Sequence, residues 1–147
     1  MAENPIIAAL EEQVACYRKL ARLAEAQREH VQQSHTEGLL SVLRNRQEIL
    51  DQLARLESIV MPAKRRWSEF LGEIESSARG RAEQMLAETR RLLEQIMASD
   101  RTDVLALEQR KLNLGKEIKQ AAGARQINRN YAVAAYGQRQ SRVNIQQ

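Results

Sequence analysis

Two apolar stripes with helical spacing, separated by a short break, occupy the first sixty residues of the chain. The first stripe recurs at steps of mostly three and four residues: Ile6, Leu10, Val14, Tyr17, Ala21, Ala24 and Val31. The second stripe follows the break: Leu39, Leu40, Leu43, Leu50, Leu53 and Val60. Apolar residues at this period cover one face of an α-helix. Because a short turn sets consecutive helices side by side, the pattern predicts an antiparallel αα-hairpin.

Local signals mark where these two helices begin. Asn4 followed by Pro5 predicts an N-cap with proline at the first helical position, where the missing N–H has no helical partner to lose. Ser34 with Glu37 three residues later predicts a capping box, so that the second helix starts near residue 36.

Further helices are predicted beyond residue 60. Pro62 predicts a break or kink, since proline lacks a backbone donor and disfavours a helical residue before it. Apolar residues then continue at helical spacing as far as Ile96, which predicts one long helix over about 63–98. Ser99 and Asp100 are expected to end that helix.

A last helix over about 103–135 is expected to begin at a cap formed by Thr102 or Asp103. The chain is 29% charged and only 3% aromatic, and its abundant Ala, Leu, Glu, Arg and Gln all favour helix. We therefore predict an all-α fold: an elongated antiparallel helical bundle, or coiled-coil hairpin, of three to four long helices.

The last predicted helix has two apolar faces when it is wound at about 100° per residue. One face, expected to dock on the bundle, carries Leu107, Leu114, Ile118, Ala121, Ala132 and Tyr136. The opposite face carries Leu105, Leu112 and Ile127. A helix that is apolar on two sides is usually covered on both. The second face is therefore left for a partner or for a second copy of the chain in a homodimer, or else the bundle wraps around it.

Charge is distributed unevenly along the chain. Residues 101–147 carry nine Lys/Arg and three Asp/Glu, a net charge of +6, whereas residues 1–100 carry fourteen and sixteen, a net charge of −2. The change in composition predicts a helical bundle over 1–120 and a basic, Gln/Asn-rich extension over 121–147. Basic residues beside Trp67, Tyr131 and Tyr136 suggest nucleic acid as an alternative partner. We favour the simpler interpretation, in which these cations are solvated side chains, and expect no nucleic acid partner.

The residue types that catalysis or metal binding needs are scarce. His30 and His35 are five residues apart on either side of a predicted break, which is not the spacing of a metal-binding pair, and no Glu-x-x-His motif occurs. Cys16 is expected to act as a small, partly buried apolar residue. We therefore expect no catalytic residue, no metal and no cofactor, and do not expect an enzyme. A single cysteine and the absence of a long apolar stretch favour a cytoplasmic location without membrane insertion.

The N-terminal hairpin resembles the FlgN family of bacterial flagellar export chaperones over roughly residues 7–60. In the first helix the matching residues are Leu10-Glu11-Glu12-Gln13, Tyr17, Leu20, Leu23-Ala24-Glu25 and Gln27-Arg28. After the break they are Leu39-Leu40, Leu43, Arg46-Gln47-Glu48-Ile49-Leu50, Leu53 and Leu56-Glu57. The basic end of the chain from Ala121 onward departs from the family's commonest members.

This resemblance implies a cytoplasmic chaperone that binds hook-associated proteins, which form the hook-filament junction, and delivers them to the flagellar type III export gate. It also implies that the C-terminal helix contacts the cargo. On this basis we expect Leu105, Leu112 and Ile127 to face cargo, with Tyr131 and Tyr136 as aromatic anchors for cargo or for the export gate. The alternative is a structural or adaptor coiled-coil protein that self-associates through the same stripes.

Overall fold

The computed structural model describes residues 4–136, apart from the side chains of residues 128, 131, 132 and 134–136. Over this range the protein is all-α and contains no strand. Its helices are α1 (Pro5–Gln33), α2 (Thr36–Arg65), α3 (Trp67–Glu73) and α4 (Ser76–Tyr136). The all-α fold class predicted from the sequence is confirmed.

The hairpin of α1 and α2 is confirmed, with one correction at its turn. The Asn4 side chain accepts a hydrogen bond of 2.8 Å from the Ile6 amide, as expected of an N-cap. Ser34, however, does not cap α2. It ends α1 in the left-handed conformation, with φ of 58°, and α2 follows His35 without a side-chain cap. The predicted capping box is wrong because Ser34 is needed to turn the chain out of α1.

The chain does not break at Pro62, which lies inside α2. Proline removes one backbone donor, but α2 has only three residues left before it ends, and two of them make contacts with the rest of the unit. Ala63 is buried, and Lys64 Nζ lies 3.1 Å from Glu57 Oε2 on the previous turns. The break comes at Arg66, where the short helix α3 begins, and a second one lies at Ile74 and the residue after it.

The expected boundary at Ser99 and Asp100 is also absent, since α4 is continuous from Ser76 to Tyr136. Neither Asp100 nor Asp103 caps a new helix. The Asp100 carboxylate instead accepts hydrogen bonds from Arg46, and the Asp103 carboxylate accepts one from Gln27. Both aspartates are therefore engaged by other helices and leave the backbone of α4 undisturbed.

Contacts divide the chain into two compact units, residues 1–105 and 106–147. In the first unit, α2 is antiparallel to α1, as shown by the bond between Gln13 and Glu57 at 2.8 Å and the bond between Gln27 and Arg46 at 2.6 Å. The N-terminal part of α4 is parallel to α1. Arg18 lies 2.7 Å from Glu88, and Gln27 lies 2.9 Å from Asp103. This unit is an up-down-up three-helix bundle with α3 in its second connection.

The core of the first unit runs between these three helices. Leu10, Val31 and Val60 are its most deeply buried large side chains, and Phe70 of α3 joins it from the connection. Trp67 packs on Phe70 with ring centroids 5.4 Å apart. In the second unit, the described residues 106–136 are one helical segment of α4. The predicted boundary at residue 120 rests on composition and remains a prediction.

Candidate partner-binding site

The main candidate for a binding surface is the segment of α4 that carries the predicted contact residues. Leu105 is 66% exposed, Leu112 is 61% exposed and Ile127 is 57% exposed. Leu105 ends the first unit, and Leu112 and Ile127 lie on one face of the helical segment in the second unit. The sequence left open whether the bundle wraps around these side chains, and the structure shows that all three are exposed. Tyr131 and Tyr136 belong to α4 by their backbone, but their side chains lie outside the described residues. The role assigned to all five residues remains a prediction.

The opposite face of this segment is exposed as well. Leu107, Leu114 and Ile118 were expected to dock on the bundle, yet each of these side chains is more than two-fifths exposed. That expectation is wrong for these described residues. Apolar side chains therefore face solvent on both sides of a single helix, a pattern typical of surfaces that bind another protein.

Basic side chains flank Leu112. The surface around it is lined by Lys111, Lys116 and Lys119 together with Glu108 and Gly115. A Cβ added at Gly115 would meet no other atom within 4 Å, so this glycine serves no close packing in the described structure. It lowers helix stability by about 1 kcal/mol relative to alanine. The segment thus combines exposed apolar side chains, excess positive charge and modest intrinsic helicity.

A polar cluster inside the first unit was missed by sequence reasoning. Arg46 Nη1 donates to Gln27 Oε1 at 2.6 Å and to Asp100 Oδ1 at 2.8 Å, and Arg46 Nη2 donates to Asp100 Oδ2 at 2.8 Å. Gln27 Nε2 donates to Asp103 Oδ2 at 2.9 Å. The hydrogen bond with Asp100 raises the pKa of Arg46, against the opposing effect of burial. Because every bond joins two different helices, the cluster holds the bundle together.

A signal for this cluster was present in the sequence. Gln27 lies between Ala24 and Val31 in the apolar stripe of α1, and Arg46 lies between the buried residues Val42 and Leu53 of α2. Asp103 is seven residues after Ile96, on the buried side of α4. Polar residues at core positions of three helices are a signature of a buried hydrogen-bonded network.

A groove of about 250 Å³ opens at the α3 end of the three-helix unit. Its walls come from α1, α2, α3 and α4: Gln13, Tyr17, Lys64, Trp67, Leu86, Thr89, Arg90 and Leu93. Burial is the main cause that raises the pKa of Tyr17. Lys64 is paired with Glu57, and Trp67 packs against the core. The packing of Trp67 agrees with its place in the apolar stripe, whereas Lys64 is paired with Glu57 rather than simply solvated.

Cys16, His30 and His35 are the cysteine and histidine side chains of the chain. Cys16 is buried, and burial raises the pKa of its thiol, which disfavours the reactive thiolate. His30 and His35 stack near the turn with ring centroids 5.8 Å apart. Between residues 4 and 136, no group of three or more His, Cys, Asp or Glu side chains could hold a metal ion.

No helix in the described part of the chain is long and apolar enough to cross a membrane. Compared with known proteins, the chain matches no family model, no curated protein and no solved structure.

Proposed function

We propose that the protein is a cytoplasmic export chaperone that binds a helical segment of a hook-associated flagellar protein and delivers it to the type III export apparatus. The observation that carries this proposal is the exposure of Leu112 and Ile127 on one face of the second unit, together with that of Leu105 at the end of the first. An amphipathic helix buries such a stripe by pairing with a second amphipathic helix. The resemblance of residues 7–60 to the FlgN family supplies the identity of the cargo.

Binding through this surface would suit a chaperone. The chain would stabilise the bound form of the cargo segment and so prevent that segment from taking part in self-assembly of the cargo. The excess of Lys and Arg in residues 106–136 favours a cargo helix with acidic flanks. Tyr131 and Tyr136 are proposed as anchors for cargo or for the export gate.

Two leucines of similar exposure on opposite faces of α4 test the proposal. Leu112→Asp should abolish the complex with a purified hook-associated protein, measured by titration calorimetry, because it places a charge in the apolar contact. Leu114→Asp is the matched control and should bind within a few-fold of the unmodified chain. Both variants should keep the helical far-UV circular dichroism signal and the melting temperature, because both side chains are exposed.

Equal loss of binding in both variants would show that the assigned face is wrong. Unfolding of Leu112→Asp would show that Leu112 belongs to a core. A chain that self-associates and ignores every hook-associated protein would instead be the structural or adaptor coiled-coil protein.

A further inference from the structure

A second apolar stripe runs along α2, beside the one that faces the core. Leu40, Leu43 and Leu50 are all exposed. Together with Gln47 and Ala54 they recur at alternating steps of three and four residues, which is the heptad spacing of a helix that packs against another helix. Over residues 40–54 no charged residue lies at these positions. The core-facing stripe of α2 is separate and includes Val42, Leu53 and Leu56, which are buried.

Exposed side chains of α4 lie beside this stripe. The Arg46–Asp100 ion pair, at 2.8 Å, shows that these two residues lie at the same height along α2 and α4. In antiparallel helices, Leu43 then lies within one residue of the level of Val104, and Leu50 lies within one residue of the level of Met97. At about 100° per residue, Leu43 and Leu50 are rotated by about 40° to 60° from Arg46 around the axis of α2. Val104 and Met97 are rotated by the same amount, and in the same direction along the chain, from Asp100 around the axis of α4. They therefore line one side of the α2–α4 pair, where all four are exposed.

The pattern of α2 is complementary to itself in the antiparallel direction. When α2 is laid antiparallel against a second α2 with Gln47 at the centre, Leu40 lies opposite Ala54 of the second copy, and Leu43 lies within one residue of Leu50. The same alignment brings Arg44 within one residue of Asp51 of the second copy, on the outer edge of the contact, and two-fold symmetry repeats each of these pairs. Arg44 and Asp51 are exposed, and neither forms an ion pair within the described residues. Asp51 Oδ1 accepts a hydrogen bond from Gln47 Nε2 of the same helix at 2.9 Å, which leaves Asp51 Oδ2 and the amide oxygen of Gln47 for contacts with the second copy.

We propose that this surface binds a second copy of the chain through an antiparallel contact between the two α2 helices, centred on Gln47. Two-fold symmetry then places α2 and α4 of each copy in a four-helix arrangement in which every neighbouring pair is antiparallel. The apolar side chains of Leu50 and Met97 enter its interior. Gln47, the polar residue in the middle of the stripe, pairs with its symmetry mate and fixes the alignment, as single polar residues do in coiled coils.

The mass of the full chain in solution tests this contact directly. Light scattering after size-exclusion chromatography should give twice the monomer mass of 16.8 kDa. Leu50→Arg should return the mass to that of the monomer. Ile59→Arg is the matched control: Ile59 is 46% exposed and Leu50 is 44% exposed, but Ile59 lies on another side of α2. This variant should stay dimeric. A monomeric unmodified chain, or equal behaviour of the two variants, would overturn the proposal.

Charge reversal tests the alignment. Arg44→Glu places like charges opposite each other twice in the dimer and should weaken association at least tenfold in sedimentation equilibrium. Asp51→Arg should do the same. The double variant restores opposite charges across the contact and should recover the original dissociation constant. A double variant no better than either single variant would refute the antiparallel alignment centred on Gln47.

The dimer contact and the proposed cargo surface use different residues, so each can fail alone. Leu112→Asp should leave the dimer intact, whereas Leu50→Arg should leave the α4 surface intact. Loss of dimerisation in Leu112→Asp would show that the copies associate through the second unit instead, and would overturn the α2 contact.

Discussion

Arg46 and Asp100 meet through two parallel hydrogen bonds of 2.8 Å, in the bidentate geometry that a guanidinium and a carboxylate favour. The same guanidinium also donates to Gln27 of α1. One side chain of α2 thereby holds the other two long helices of the first unit. Because the Arg46 side chain is largely buried, a single substitution at this residue should lower the stability of the protein.

Arg46→Ala should lower the free energy of unfolding by about 1.5 to 3 kcal/mol, because it removes charge-assisted hydrogen bonds and leaves polar atoms of Gln27 and Asp100 without a donor. Urea denaturation followed by circular dichroism measures the change. Arg18→Ala is the control, since the Arg18–Glu88 pair is more exposed and should contribute about 1 kcal/mol or less. Equal losses of unfolding free energy in the two variants would show that the cluster around Arg46 contributes no more to stability than an exposed ion pair does.

Gly38→Ala should destabilise the hairpin. A Cβ at residue 38 would collide with the ring of His30, whose Nδ1 is buried without a hydrogen bond. The expected loss in the free energy of unfolding is about 1 to 3 kcal/mol, typical of overpacking.

Gly80→Ala should have the opposite effect and stabilise the protein by about 0.5 to 1 kcal/mol, because a Cβ at this position of α4 would meet no other atom within 4 Å. Thermal melts of both variants measure the two shifts.

Stability should fall as the solution becomes alkaline. Burial raises the pKa of Cys16 and of Tyr17, so the unfolded chain loses these protons at lower pH than the folded chain does. Their contribution is complete below the pKa values of the unfolded side chains and declines as pH rises through them. Urea midpoints measured from about pH 8 to about pH 11 should decrease. The decrease should be smaller in the Cys16→Ala, Tyr17→Phe variant, and an unchanged slope would contradict this explanation.

A chain shortened to residues 1–105 should still unfold cooperatively. The core that holds α1 and α2 together lies within these residues, and they form a compact unit. Differential scanning calorimetry should show a single transition close to that of the full chain. A shortened chain without a transition would mean that residues 106–147 are needed for folding.

The parts of the fold that could be predicted are those that local chemistry decides. Asn4 and Pro5 begin α1 because capping and proline geometry act within a few residues, and the apolar stripes identify the hairpin because burial follows helical period. Asp100 was misinterpreted as ending one helix and Asp103 as a cap that begins the next, because their partners, Arg46 and Gln27, are more than fifty residues away in the chain. Rules that consider only residues close together in the sequence cannot predict such contacts.

The candidate site was predictable to a similar extent. That Leu105, Leu112 and Ile127 share one angular position follows from helical period, but their exposure was left open by the sequence and comes from the structure. The exposure of Leu107 and Leu114 did not follow, because two apolar faces on one helix look alike in sequence whether a core covers them or not.

The two surface ion pairs between α1 and α4 have opposite polarity. Glu11 of α1 pairs with Arg81, whereas Arg18 pairs with Glu88, seven residues further along both helices. A slide of α4 by one heptad in one direction would set Glu11 against Glu88, and a slide in the other direction would set Arg18 against Arg81. The apolar stripes alone would tolerate either slide, since they repeat every seven residues. Alternating charge thus makes both of these misaligned bundles electrostatically less favourable than the observed alignment of α1 with the N-terminal part of α4.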